Sequence, residues 1–161
     1  MGVHLQNFAI DAFDRALLDL VRRNNLTPAR YLAEQVGLSE SAVLRRLRRL
    51  RKTGIISGDV SIVRSASLGR PLTVIVLVSM VREGRTQIED FTSRLRQRLE
   101  VVSTWYVTGN ADFVLLLNLV DMAEYEAFTN EVFLSDPNIC KFETLMSLRE
   151  LVPGPQPRRA A

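Results

Sequence analysis

The sequence has almost no cysteine or histidine: Cys140 and His4 are the only residues of these two types among 161. A single cysteine cannot form a disulfide within the chain, which excludes a disulfide scaffold and favours a reducing compartment. Zinc sites and histidine-based catalytic triads need more cysteine and histidine residues than these two. The sequence also contains neither a P-loop nor a G-x-G-x-x-G fingerprint. We therefore expect no metal, no cofactor and no enzyme activity. An active site made only of carboxylates stays open, although no pattern marks one.

Long apolar runs are also scarce. The longest nearly apolar stretch, Leu72 to Val81, contains Thr73 and Ser79 and is well short of the ~18 residues that a membrane helix needs. The first six residues lack the basic start and apolar run of a secretion signal. With 47% hydrophobic and 24% charged residues, the composition is typical of a globular protein with a real core. We expect a cytoplasmic protein without membrane contact.

Positive charge is concentrated in the N-terminal part of the chain. Residues 1 to 60 contain 10 Lys and Arg against 6 Asp and Glu, a net charge of +4. Residues 61 to 161 contain 11 against 12, a net charge of −1. The basic surplus therefore belongs to the part in which the helical patterns described next are found.

The N-terminal pattern begins with two helices. Apolar residues recur at helical spacing from Phe13, which predicts a first helix ending near Arg23 to Asn25. Thr27 and Pro28 predict the start of a second helix, because a threonine hydroxyl can cap it and proline suits its first position. Gly37 predicts its end, since glycine tolerates the left-handed conformation found there.

A third helix follows after a tight turn. Ser39 offers an N-cap, and Gly54 ends the helix. Between the second and third helices there is room only for Gly37 and Leu38, which is the spacing of a helix-turn-helix. One side of the third helix is apolar and should face the core, through Val43, Leu47 and Leu50.

The outward side of this third helix is cationic. Six of the eight residues from Arg45 to Lys52 are basic and none is acidic. A helix that is merely solvated usually alternates opposite charges at i,i+4 spacing. This run of positive charge lies on the third helix, directly after the tight turn. In that place it favours neutralisation of DNA phosphates by a helix that lies in the major groove of double-stranded DNA.

The residues of this predicted interface fall into three groups. We expect base edges to be read near the start of the helix, by Glu40, Ser41 and Arg45. Phosphates are expected to be contacted by Arg48, Arg49 and Lys52. Arg46 points nearer the core, and we expect it to form an ion pair with Asp14 or Asp19. With the N-cap, the predicted DNA-binding set is Ser39, Glu40, Ser41, Arg45, Arg46, Arg48, Arg49 and Lys52.

The pattern changes after the third helix. Ile55 to Val63 alternates imperfectly around Gly58 and Asp59 and predicts a short β wing or strand. We expect a DNA-binding domain over residues 1–63, a linker over 64–71, a second domain over 72–152 and a flexible tail over 153–161.

The second domain is predicted to alternate strands and helices. The order is strand, helix, strand, strand, helix, strand, over Leu72 to Val81, Thr86 to Leu99, Val102 to Thr108, Phe113 to Val120, Ala123 to Phe133 and Lys141 to Leu151. This βαββαβ order is the ferredoxin-like (ACT-like) plan. The predicted fold class is therefore α+β, with an N-terminal winged helix-turn-helix.

The strands also predict assembly. In this plan both helices cover one face of the sheet, so the strands of a monomer should alternate apolar and polar residues. Val74 to Val78 and Phe113 to Leu117 are apolar on both sides. The second face needs a cover, most simply the same sheet of another subunit. We expect a homodimer that presents two recognition helices to a pseudo-palindromic site.

The chain resembles the Lrp/AsnC family of leucine-responsive and asparagine-related regulators from Asp11 to about Val152. The motifs that carry the resemblance are Asp14-Arg15-x-Leu17-Leu18, Leu32-Ala33-x-x-Val36-Gly37-Leu38-Ser39, Val43-x-x-Arg46-Leu47-x-x-Leu50, Gly54-Ile55-Ile56 and Thr108-Gly109-x-x-Asp112-Phe113. The resemblance implies a winged helix-turn-helix joined to an effector domain. It also implies dimers that often build octamers, possible tetramers of dimers, and amino-acid ligands held between dimers.

Two residues depart from the family pattern. Arg51 stands where many members carry glutamate, which makes the third helix more basic. Asn110 stands where amino-acid-responsive members often carry aspartate, and a neutral amide offers no charge to a ligand's ammonium group. The loop around it is predicted to be a hairpin in which Gly109 supplies an unusual backbone angle. The resemblance adds an effector site at Thr108, Gly109, Asn110 and Asp112.

We therefore predict a sequence-specific DNA-binding transcription regulator of amino-acid metabolism or transport genes, modulated by a small molecule such as an amino acid. One alternative is a nucleoid-associated architectural protein. Another is a ligand-binding assembly module without specific DNA readout. Competition by unrelated DNA separates these readings, because only a specific regulator keeps its operator.

Overall fold

The computed structural model describes residues 9–151, which divide into two compact units. The first unit extends to Ile62 and the second runs from Val63 to Leu151. The predictions made for His4 and for the tail over 153–161 lie outside the described residues.

Three helices form the first unit: α1 (Ala12–Arg23), α2 (Ala29–Val36) and α3 (Glu40–Lys52). A reciprocal pair of hydrogen bonds starts α1. The Asp14 N–H donates to Asp11 Oδ1 at 2.8 Å, and the Asp11 N–H donates to Asp14 Oδ2 at 3.3 Å. This capping box satisfies two backbone donors that would otherwise have no partner at the helix start.

The turn between α2 and α3 forms as predicted, but the start of α2 does not. Gly37 has φ +69°, the left-handed conformation that ends α2 and turns the chain into α3. The predicted Thr27 cap is wrong: its hydroxyl donates to the Asn24 carbonyl at 2.7 Å, and α2 begins after Pro28 without a side-chain cap. The Thr27 hydroxyl thus bonds back to the preceding turn, and its oxygen accepts no N–H of α2.

The start and inner side of α3 agree with the sequence. Ser39 Oγ accepts the N–H of Ala42 at 3.3 Å and caps the helix. The core of the unit consists of apolar side chains from all three helices, with at most 7% exposure each: Leu17, Leu32, Ala33, Val43, Leu47 and Leu50. Burying an aliphatic side chain of this size contributes roughly 1.5–3 kcal/mol, so this core fixes the orientation of α3.

The predicted wing is wrong. Among the described residues of the first unit no strand occurs, and the segment after α3 is irregular. Val60 and Ile62 are 78% and 66% exposed, so the apolar side chains of the alternating segment do not pack into a core. A strand exists only where a second strand accepts its hydrogen bonds, and this unit supplies none. Within the predicted linker, Ser65–Leu68 forms a short 3₁₀ helix.

The second unit confirms the βαββαβ order and the α+β class. Its elements are β1 (Leu72–Met80), α4 (Arg85–Leu95), β2 (Val101–Tyr106), β3 (Phe113–Leu119), α5 (Met122–Thr129) and β4 (Ile139–Met146). The strands form one antiparallel sheet in the order β2-β3-β1-β4.

Some boundaries differ from the sequence prediction. Helix α4 ends at Leu95 rather than Leu99, and α5 is followed by a π-helical turn, Asn130–Leu134. Strand β4 ends at Met146 rather than Leu151. Met146 pairs with Val74, close to where β1 starts, so the later residues have little of β1 left to pair with.

The two faces of the sheet differ in what covers them. One face packs against α4 and α5, and its side chains are fully buried: Val74, Val76, Val78, Phe113, Leu115, Leu117 and Leu119. The other, which we call the open face, carries partly exposed apolar side chains that include Ile75, Leu77, Trp105, Val114, Leu116 and Leu145. The two-sided apolar pattern of the central strands is thereby confirmed.

Candidate nucleic-acid interface and ligand cavity

Helix α3 exposes three cations on one side. Arg45, Arg48 and Lys52 are exposed, and within residues 9–151 none of them forms a hydrogen bond or ion pair. Their positions, i, i+3 and i+7, place them on the side opposite the buried Val43, Leu47 and Leu50. We call these three residues the basic face.

Two further arginines of α3 are turned toward their own protein. Asp14 is fully buried, and its carboxylate accepts from Arg46 Nη1 at 2.9 Å and from Arg49 Nη2. Arg46 also contacts Asp11 Oδ2 at 2.6 Å. The predicted Arg46–Asp14 pair is confirmed, and Asp19 takes no part in it. Arg49, which the sequence assigned to phosphates, lies in this internal ion pair with 40% of its side chain exposed.

The contact between Asp11 and Arg46 shifts the pKa of both groups. The pKa of the Asp11 carboxyl is lowered, first because it accepts the Asp14 N–H and second because it accepts from Arg46. The pKa of Arg46 is raised by the hydrogen bonds to Asp11 and Asp14. Asp11 and Arg46 therefore both stay charged at neutral pH, and their ion pair ties α3 to the start of α1.

The first turn of α3 carries the residues predicted to reach base edges. Glu40 and Ser41 are exposed there. The hydroxyls of Ser39 and Ser41 lie 3.2 Å apart, while Ser39 Oγ also caps the helix. Glu40 and Ser41 therefore share the exposed surface of α3 with Arg45.

A second ion pair on α3 was not predicted from the sequence. Arg51 Nε lies 2.8 Å from Asp59 Oδ2 and Arg51 Nη2 lies 3.2 Å from Asp59 Oδ1, a bidentate contact. The pKa of the Asp59 carboxyl is lowered chiefly by this hydrogen bond. Arg51 is thereby engaged by the segment that follows α3.

The loop between β2 and β3 is a hairpin held by backbone geometry. Gly109 has φ +139°, which side chains rarely allow, and this confirms the predicted role of glycine there. Asp112 Oδ2 accepts the Met80 N–H at 2.6 Å, and the Asp112 N–H donates to the Val78 carbonyl at 2.9 Å. Asp112 therefore fastens β3 to β1. Thr108 and Gly109 are exposed.

A cavity of about 270 Å³ opens beside this loop, at the end of β1. We call it the ligand cavity. It is lined by Leu77, Ser79, Asn110, Ala111, Lys141 and Glu143. Of the four predicted effector residues only Asn110 lines it, and the Ser79 hydroxyl donates to the Asn110 carbonyl at 3.4 Å.

Sequence reasoning missed the two charged residues of this cavity. Lys141 and Glu143 are distant in sequence from the loop, and only the antiparallel pairing of β4 with β1 brings them there. In that pairing Lys141 lies opposite Ser79 and Glu143 opposite Leu77. Alternation along the predicted last strand could have placed the two on one face, but not beside the loop.

A larger cavity, of about 350 Å³, lies between the end of α4 and the π-helical turn. Its arginines are already ion-paired: Arg98 contacts Glu131 at 2.7 Å and Glu100 at 3.0 Å, and Arg94 contacts Asp136. With its positive charges neutralised by its own acids, this cavity is a weaker candidate for a charged ligand despite its size.

Two negative findings concern residues 9–151 only. No helix there combines the length and apolar character that crossing a bilayer requires. Within the same range, no three side chains among His, Cys, Asp and Glu cluster closely enough to hold a metal ion.

Comparisons with known families agree with both units. An AsnC-type helix-turn-helix domain model matches residues 10–51, and an Lrp/AsnC ligand binding domain model matches residues 73–157. These matches and the geometry define the class: a helix-turn-helix transcription regulator with a second domain of ligand-binding type. The second model alone covers more than half of the chain. The chain belongs to the Lrp/AsnC family of transcription regulators.

Individual relatives are regulators rather than enzymes. An uncharacterized HTH-type transcriptional regulator of Sinorhizobium fredii, y4tD, is 45% identical over 88% of this chain and 85% of its own length. The leucine-responsive regulatory protein of Haemophilus influenzae is 31% identical over 91% and 88%. A Neisseria meningitidis transcriptional regulator solved with L-methionine superposes with TM-score 0.81 and 28% identity, over 90% of this chain and 94% of its own.

Proposed function

We propose that this regulator recognises specific DNA sequences through α3 and that a small molecule such as an amino acid, bound by the second unit, controls it at genes of amino-acid metabolism or transport. The observation that carries the proposal is the basic face. Arg45, Arg48 and Lys52 are exposed and unpaired among the described residues, while the neighbouring Arg46 and Arg49 form ion pairs with the buried Asp14. Cations left free on one side of a helix after a tight turn suit a polyanion.

The division of labour on α3 follows from its position. In a helix-turn-helix the N-terminal residues of the second helix reach base edges, so we assign base reading to Glu40, Ser41 and Arg45. We assign phosphates to Arg48 and Lys52. Ser39 supplies the cap, and Arg46 and Arg49 act by holding α3 against α1.

The effector part of the proposal rests on the second unit. Its match to a ligand binding domain, the L-methionine bound by the Neisseria meningitidis relative and the ligand cavity beside Asn110 all support it. We propose that residues 1–63 bind DNA, that 64–71 link, and that 72–152 bind the effector and assemble. Thr108, Gly109 and Asp112 shape the loop that presents Asn110.

We further propose that the working unit is a homodimer formed through the open face. The centre of this face is apolar, with Lys141 and Glu143 toward one end, and its apolar side chains are not part of the core that α4 and α5 cover. A two-fold dimer presents two α3 helices, so the operator should be a pseudo-palindrome with half-sites about one helical turn, ~34 Å, or a multiple of it apart.

Genome-wide mapping of bound sites, with and without an amino-acid panel, tests the proposal, and a fragment found that way then serves for titration. We expect Arg45→Ala with Arg48→Ala to weaken binding at least about 10-fold, and the salt slope to fall by about 1 per lost phosphate contact. The matched control is Arg82→Ala with Arg96→Ala, which removes the same charge from exposed positions of the second unit.

Three results would count against parts of this proposal. Equal losses in both double variants would place DNA binding outside α3. Full competition by unrelated DNA would favour the architectural alternative. Occupancy that no amino acid changes would remove the effector part while leaving DNA recognition in place.

A further inference from the structure

The predicted linker is folded over most of its length. Ser65–Leu68 forms the short 3₁₀ helix, and Gly69 follows with φ +75°. The Arg70 N–H then donates back to the Ser65 carbonyl at 2.9 Å. This turn belongs to the second unit, which begins at Val63. It places the Arg70 side chain against the end of β3 and the start of α5.

Arg70 joins the turn to the rest of the second unit through both of its terminal nitrogens. Nη1 donates to the Asn118 carbonyl at 3.0 Å and to Glu124 Oε2 at 3.1 Å. Nη2 donates to Glu124 Oε1 at 2.9 Å, which makes the ion pair bidentate. The Arg70 and Glu124 side chains are each only 24% exposed, so salt and water screen this pair less than a surface pair.

The partners of Arg70 are themselves held in place. Glu124 Oε2 also accepts the Val120 N–H at 2.6 Å. The Asn118 side chain accepts from the Thr73 hydroxyl at 3.1 Å and donates to the Ser65 hydroxyl. Four residues therefore fix the turn on the second unit, and we call them the linker anchor: Ser65, Arg70, Asn118 and Glu124.

A second ion pair limits the free chain on the side of the first unit. Asp59 is held by its bidentate contact with Arg51 near the end of α3. Residues 60–64 lie between Asp59 and the linker anchor, are all exposed and have no regular structure. Within the part of the chain that the structure describes, residues 60–63 form no hydrogen bond or ion pair. These five residues of free chain can span about 18 Å at most.

Release of the anchor would more than double this length. A four-residue 3₁₀ turn has too few hydrogen bonds to persist by itself. Without Arg70 the free chain would run over residues 60–71, twelve residues that can span about 43 Å. A longer flexible connection lowers the effective concentration of one DNA-binding unit at its half-site after the other has bound. It also lets that unit reach half-sites at other distances.

We propose that the linker anchor sets the half-site spacing that the dimer accepts, with Arg70 as the positioning residue. The inference rests on the proposed function, since it needs a dimer that reads two half-sites through α3, and it adds what determines their distance. Because residues 65–71 are held on the second unit, only residues 60–64 can adjust the position of each DNA-binding unit. Operators with displaced half-sites are therefore rejected.

The test measures binding of the full chain to synthetic operators that differ only in half-site spacing. An insertion of about 5 bp moves one half-site by about 17 Å along the axis and turns it by about half a revolution around the duplex. We expect wild type to bind this operator at least about 10-fold more weakly than the natural spacing, by fluorescence anisotropy. In Arg70→Ala the ratio should fall below about 3-fold, while affinity for an isolated half-site stays within about 2-fold of wild type.

Variants of opposite charge separate the anchor from net charge. Glu124→Gln weakens the same ion pair but removes a negative charge, and it should lower the spacing ratio as Arg70→Ala does. Arg96→Ala and Glu126→Gln make the matching charge changes at exposed positions of α4's end and of α5. Both controls should keep the wild-type ratio.

Two further measurements do not depend on the DNA result of a single variant. Hydrogen exchange in Arg70→Ala should become faster at the Ser67 and Gly69 amides, which donate within the turn, and stay unchanged at Val76 in β1. A seven-residue Gly/Ser insertion after Ile62 lengthens the free chain by as many residues as the anchor holds and leaves the anchor intact. This insertion should reproduce the spacing ratio of Arg70→Ala.

Three results would overturn the inference, and they leave different parts of the proposed function standing. If Arg70→Ala and Glu124→Gln both keep the wild-type ratio, the anchor does not set the spacing, and DNA reading by the dimer stands. If the inserted residues leave the ratio unchanged, the length of free chain does not position the DNA-binding units. If wild type binds all spacings equally, the inference falls together with the two-half-site dimer. Loss of half-site binding in Arg45→Ala with Arg48→Ala would then still support α3.

Discussion

Asp14 of α1 is fully buried and pairs with two arginines of α3. An aspartate with no exposed surface is rare unless its charge is paired, and here Arg46 and Arg49 supply two guanidinium groups from α3. Because these two arginines pair with Asp14 and Arg51 pairs with Asp59, Arg45, Arg48 and Lys52 are the exposed cations of α3 that have no ion pair among the described residues. The buried Asp14 carboxylate therefore separates the arginines that hold α3 against α1 from the residues of the basic face.

Replacing Asp14 by asparagine should destabilise the first unit strongly. The change leaves Arg46 and Arg49 without their shared charge, and breaking a buried ion pair costs about 3–5 kcal/mol. We expect hydrogen exchange at the α3 amides to report a loss of at least about 3 kcal/mol in local opening free energy, a measurement that does not depend on unfolding of the second unit.

The control at this scale is Asp19→Asn. Asp19 is exposed and lies 3.8 Å from Arg22, so its loss should cost less than about 1 kcal/mol. Equal losses in the two variants would mean that Asp14 contributes no more than a surface pair.

At the scale of elements, the sequence predicts best where local chemistry decides the outcome. Helix α3 is bounded by Ser39 and Gly54, and its period of apolar residues marks its buried side without help from distant parts. The wing prediction is wrong because alternation over Ile55 to Val63 does not show whether a second strand is present to pair with it. The Arg51–Asp59 contact was missed for a related reason: it depends on the path of an irregular segment.

That contact predicts an effect on DNA binding at the level of α3. Arg51 flanks the basic face and is held by Asp59 through a bidentate ion pair. Asp59→Asn should release it toward a phosphate. We expect tighter binding and a slope of log affinity against log salt that is more negative by about 1, measured by fluorescence anisotropy.

Removing any acid makes a protein more attractive to DNA, so a matched change is needed. Asp90→Asn removes the same charge from an exposed position on α4 in the second unit. A slope that changes equally in both variants would show that net charge, rather than release of Arg51, is responsible.

At the scale of the whole molecule, the sequence predicts the sheet and its assembly more readily than the ligand cavity. Apolar residues on both sides of β1 and β3 are visible in the sequence and need only the strand period to interpret. The ligand cavity depends on β4 returning beside β1, which places Lys141 opposite Ser79. The family resemblance predicted a site at the loop around Asn110, but it did not predict that residues of β4 line the same cavity.

The open face supports a final prediction about assembly. Leu116 pairs with Ile75 in the centre of this face and is only partly buried there. Glutamate at this position would place a charge inside a dimer contact, where burying an unpaired carboxylate is costly. We expect wild type to be at least a dimer by light scattering and Leu116→Glu to be a monomer that still folds, because the charge faces solvent in the free subunit. Since a monomer contacts one half-site only, its affinity for the full operator should fall by at least 100-fold.

Leu99→Glu, at a site already 86% exposed, makes the same change away from the sheet and should keep both assembly and affinity. A dimeric Leu116→Glu variant would place the contact between subunits on another surface.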